Sequence, residues 1–154
     1  RDAAKVFADA AEMRGRMAAE NAPRSAWDLK RVEGGLVDIE FTVQALQLAH
    51  AHRAPEVLAT STREAIDRLA AIDVLGAADA AALSNALVLQ LDLTQALSVA
   101  VEGVLDPATA PERLKARLAT IGGCQDFAAL EERLERVRAG ARAVFTRVVL
   151  NAAP

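Results

Sequence analysis

Within residues 127–150 seven apolar residues fall on alternating three- and four-residue steps: Phe127, Leu130, Leu134, Val137, Ala141, Val144 and Val148. Such spacing keeps them on one side of an α-helix, whereas a strand would need a period of two. It predicts a helix over 127–150 with Asp126 as its N-cap. Three heptads suit a bundle as well as a coiled-coil dimer. Hydrophobic content of 53% with only 3% aromatic residues and no Tyr favours small side chains and close-packed helices. The fold expected is all-α, an antiparallel helical bundle of about five to six helices.

The remaining helices follow from stripes and breakers. Residues 2–20 carry Val6, Ala10, Met13 and Met17 on one face, and Asn21 and Pro23 end that helix. A helix over about 36–52 is apolar on two sides, with Leu36, Ile39, Val43 and Leu46 on one and Val37, Phe41 and Leu48 on the other. Ser61-Thr62-Arg63-Glu64 matches a capping box and starts a helix over 62–74. Ile66, Leu69 and Ile72 face inward there, Glu64 and Arg68 pair outside, and Gly76 is placed to cap the end. The longest helix, about 78–103, reads as the core of the bundle, or as a helix with one apolar face docked on a further domain. Asp106-Pro107 breaks the chain. Pro111 then opens a helix presenting Leu114, Leu118 and Ile121, which stops at Gly122-Gly123.

At 154 residues the chain reads as one helical domain, 1–154. A net charge of -3 and a pI near 5.4 argue against a nucleic-acid binder. The local run of Arg14, Arg16, Arg24, Lys30 and Arg31 reads as a solvated face interspersed with Glu20, Asp28 and Glu33. Cys124, the single cysteine, excludes an internal disulfide, fits a reducing cytoplasm and reads as incidental. His50 and His52 share no helical face and lack an HExxH context, so a helix C-terminus explains them better than a metal. No stretch reaches the ~18 apolar residues that a membrane span needs. The first residues are charged and helical, so no signal peptide is expected. An opening at Arg1 without a methionine suggests a piece of something longer.

Residues 28–41, DLKRVEGGLVDIEF, are unlike the rest. Trp27 and Leu29 alternate with Asp28 and Lys30, which predicts a short extended segment near 27–32. Gly34-Gly35 forms a hinge whose amides could receive an anion, with Lys30 adding a point charge. The other reading of the two glycines is a tight turn against another helix. Asp38 falls in the first helical turn, and Glu40, Gln44 and Gln47 form a polar stripe. Two residues subtend about 200° of helix, so Asp38 and Glu40 do not form a carboxylate pair.

This string resembles the GG-(hydrophobic)-x-D-I-E-F signature of the glutamine synthetase adenylyltransferase family, with Asp28 and Lys30 as the aspartate-x-lysine pair before the glycines. The resemblance is specific over 28–50 and a matter of helix pattern beyond. It implies the helical C-terminal domain that follows the second nucleotidyltransferase half of a bifunctional enzyme. Residues 1–25 would be the connector helix from a catalytic domain not present here, and 26–154 the bundle. Such an enzyme moves AMP from ATP to a tyrosine of glutamine synthetase with magnesium and removes it again, under control by PII signal protein. The implied partners are glutamine synthetase, PII and the upstream nucleotidyltransferase domain. Lys30, Gly34, Gly35, Asp38, Glu40 and Gln44 would face the nucleotide site or the domain boundary. Family members often carry an arginine in the helix corresponding to 78–103, and this stretch has none.

Catalytic parts are missing from the chain itself: it has no glycine-serine turn, no D-x-D pair and no Walker or G-x-S-x-G motif. No catalytic residue, metal ligand or cofactor is assigned to it. Two other readings stay open: a free-standing helical interaction module, and the helical domain of a PII uridylyltransferase.

Overall fold

A computed structural model describes residues 2–152; Arg1, Ala153 and Pro154 of the expected domain lie outside the described residues. Six α-helices run in the order α1 (Ala3–Glu20), α2 (Leu36–His50), α3 (Thr62–Ala71), α4 (Ala77–Ala100), α5 (Glu112–Ile121) and α6 (Phe127–Phe145). A 3-10 turn at Pro55–Val57 follows α2, and a π-helical segment, Thr146–Leu150, continues α6. Among the described residues there is no strand, so the all-α expectation holds.

The caps act as local chemistry dictates. Asp126 Oδ1 accepts from the Ala129 amide at 2.8 Å, and the Ser61 hydroxyl accepts from the Glu64 amide at 3.4 Å. The Glu64–Arg68 pair forms at 2.5 Å. Gly76 does not end α3; it is the N-cap of α4. The reversal falls to Asp73, whose φ of 59° lets the Val74 and Leu75 amides reach back to the Leu69 carbonyl. Aspartate tolerates that left-handed conformation better than most residues.

Packing divides into three apolar clusters. α2, α3, α4 and α6 share the largest, around Ile39, Ile66, Leu69, Leu83 and Val144. Trp27, Leu89, Leu93, Leu118, Leu130 and Leu134 form the second, against the turn before α2. In the third, Val6 of α1 meets Ala45, Phe145 and Val149, with Phe7 and Ala10 alongside. α4 is the core helix from Leu83 to Leu93, touching α2, α3, α5 and α6, while Val99 near its end is exposed. α1 is oriented differently from its expected stripe: Met13 is exposed and Arg14 is buried. The Val6–Ala10–Arg14 row, in steps of four, is the one turned inward.

The extended segment expected near 27–32 is instead a set of tight turns. Arg31 and Val32 both donate their amides to the Asp28 carbonyl, at 3.0 and 3.1 Å, and Trp27, Asp28 and Leu29 are all buried. Side chains of Ser25 and Asp28 supply the reason, accepting from the amides of Trp27 and Arg24. Such local bonds offer the backbone an alternative to an extended course.

Candidate functional site

Asp38 is the centre of the 28–41 segment, fully buried in the first turn of α2. Its carboxylate has three donors. Arg14 Nε reaches Oδ1 at 2.5 Å, while the Gly34 amide and Arg142 Nη1 reach Oδ2 at 2.6 and 3.0 Å. Arg142 extends to Glu33 at 3.5 Å and lies over the Phe145 ring at 4.7 Å. Arg14 Nη2 donates to the Arg31 carbonyl at 3.1 Å. One carboxylate thus joins α1, the glycine turn, α2 and α6. Burying a charge costs several kcal/mol, which only such complete pairing offsets.

The glycines serve this packing. Gly34 has φ +73°, and a Cβ there would overlap the main-chain carbonyl of Arg138; a Cβ on Gly35 would meet the Leu29 carbonyl. The Gly34 carbonyl accepts from Gln90 Nε2 at 3.1 Å, while Gln90 Oε1 is buried without a partner. The amides that would have cradled an anion are taken. Gly34 donates to Asp38, Gly35 to the Val32 carbonyl, Leu36 to Leu29 and Val37 to Lys30. The hinge is therefore a tight turn held against α6 rather than an open phosphate loop.

The six residues singled out in the sequence separate into two groups. Gly34, Gly35 and Asp38 are inside and held by this chain's own groups. Lys30 and Gln44 are exposed and Glu40 is half-buried. Gln47 leaves the polar stripe: it is buried and donates to the Val57 and Ala59 carbonyls at 2.9 and 3.3 Å. Among the described residues no three His, Cys, Asp or Glu side chains converge. The magnesium implied by the resemblance therefore has no ligand set of that kind among the described residues.

Sequence reading missed Arg14 and Arg142. Each falls on an inward row, Arg14 with Val6 and Ala10, Arg142 with Leu134 and Phe145, and that placement was the available signal. Trp27 is also more than alternation implied. It stacks on Phe127 with centroids 5.3 Å apart and donates Nε1 to Glu131 at 3.2 Å, pinning the turn to α6. Arg138 donates to the Ala26 carbonyl beside it. Burial lowers the pKa of that guanidinium, against an opposing pull from Glu135 and Glu131. No helix among the described residues is long and apolar enough to cross a membrane.

The family model described as GlnD PII-uridylyltransferase matches residues 5–149. The chain is 44% identical over 149 residues, 97% of its length, to the bifunctional glutamine synthetase adenylyltransferase/adenylyl-removing enzyme of Rhodopseudomonas palustris strain BisB5, covering 15% of that protein. The enzyme of the same name from Bradyrhizobium diazoefficiens is 38% identical over 154 residues, 100% of this chain and 16% of the relative. That of Xanthobacter autotrophicus is 38% identical over 153 residues, 99% of this chain and 16% of the relative. The chain thus spans about 15% of the length of the curated relatives it matches. With the family model matching residues 5–149, the chain belongs to the family described as GlnD PII-uridylyltransferase, and over nearly its whole length it is similar to one segment of bifunctional glutamine synthetase adenylyltransferases.

Proposed function

We infer that this domain serves as the helical C-terminal part of a bifunctional glutamine synthetase adenylyltransferase/adenylyl-removing enzyme, supporting AMP transfer from ATP to a tyrosine of glutamine synthetase. The observation that carries the reading is the identity with enzymes of that name over 97% of the chain. The geometry gives it a physical form. The Asp38 node holds the 27–35 turn in place, and the exposed Lys30 and Gln44, with the half-buried Glu40, are what a neighbouring nucleotidyltransferase domain can reach. Preorganised charge is worth most in such chemistry, because phosphoryl transfer is mainly positioning and electrostatic stabilisation. ATP and magnesium would be bound by that other domain, in the cytoplasm, and PII would act on the assembled enzyme.

A domain exchange tests this. The matched segment of the Rhodopseudomonas palustris enzyme is replaced by this chain, and AMP incorporation into glutamine synthetase is measured. Retained transfer and removal support the reading; a folded chimera without either activity refutes it. A free-standing interaction module is the other outcome such a failure would favour.

A further inference from the structure

We propose that the small cavity between the end of α1 and the turn before α2 is a binding site for a single tetrahedral oxyanion of the phosphate class. Its volume is about 120 Å³, and it is lined by Arg14, Met17, Asn21, Lys30, Arg31 and Val37. A water needs only about 10–15 Å³ of such space, so the cavity has room for a small tetrahedral oxyanion. Three of the six lining residues are cations and none is an acid, in a chain whose net charge is -3.

The three cations differ in a way that suits a site. Arg14 is buried, at 7% exposure, and fixed through Nε by Asp38 and through Nη2 by the Arg31 carbonyl. Arg31 is only loosely paired, 3.9 Å from Asp28. Lys30 is exposed and has no carboxylate partner among the described residues. A guanidinium fixed by two partners and an exposed ammonium divide oxyanion recognition between geometry and charge. α1 has no basic residue in its last turn, so Lys30 and Arg31 also offset its negative pole.

The site consists of this chain's residues alone and stands whichever reaction the larger protein performs. Its ligand could be free phosphate or the phosphate tail of a nucleotide. Isotope-labelled chain is titrated with inorganic phosphate, ATP and adenosine at constant ionic strength, following the backbone amides of Asn21, Lys30 and Arg31. Saturable shifts with phosphate and ATP but not adenosine are expected. Equal affinity identifies free phosphate as the ligand, and ATP binding at least about tenfold tighter identifies the nucleotide tail. Lys30→Gln and Arg31→Gln, both outside the core, should each weaken binding about tenfold at unchanged melting temperature. The site is refuted if neither anion gives a saturable shift in the low-millimolar range. Chloride shifts of equal size, adenosine binding as well as ATP, or both variants binding like the parent would refute it equally.

Discussion

Arg14 Nε lies 2.5 Å from Asp38 Oδ1, and the two side chains are exposed by only 8% and 0%. This buried pair fixes α1 to the first turn of α2, with Arg142 and the Gly34 amide completing the carboxylate's coordination. The partners are not equivalent. Removing Asp38 strands Arg14 with one carbonyl, whereas removing Arg14 leaves Asp38 two donors.

Asp38→Asn should therefore cost about 3–5 kcal/mol, the usual loss when one side of a buried pair is deleted. Arg14→Met should cost less. Thermal unfolding followed by circular dichroism reads the difference, and Asp38→Asn should lower the midpoint by on the order of 10 °C. A midpoint within about 2 °C of the parent's would show the pair to be dispensable.

Gly34→Ala probes the close approach of the turn to α6. The left-handed φ alone costs about 1–2 kcal/mol. Overlap with the Arg138 carbonyl adds to it, because main chain on a packed helix cannot yield as a flexible side chain does. Denaturant unfolding should show a larger loss for Gly34→Ala than for Gly15→Ala, since a Cβ on Gly15 meets nothing within 4 Å.

Trp27, the only tryptophan, reports on the same turn. Its burial against Phe127 predicts a blue-shifted emission that moves red in one step on unfolding. Trp27→Ala should cost about 3–5 kcal/mol, as for other buried aromatics. Emission already typical of water in the native state would contradict this placement.

Much of the fold was legible because it is set within one or two turns. Asp126 and Ser61 cap their helices, and the 127–148 seam buries Leu130, Leu134, Ala141 and Val144. The site was legible only in part. Asp38 meets Arg14 and Arg142 at sequence separations of 24 and 104, and no local period reports such pairs. Arg14 stood among other arginines and read as solvated, although its row with Val6 and Ala10 is the inward one. The turn at 27–32 imitated a strand because Trp27 and Leu29 alternate with polar neighbours, while Asp28 is itself buried and bonded.

AMP transfer to glutamine synthetase by the intact enzyme carrying Lys30→Ala tests the central claim most directly. Lys30 is exposed, so the substitution should change stability by no more than about 0.5 kcal/mol. If the Asp38-anchored turn presents this residue to a neighbouring catalytic domain, the transfer rate should fall about tenfold or more, at least about 1.4 kcal/mol of transition-state stabilisation. An unchanged rate in an intact, folded variant would contradict the account.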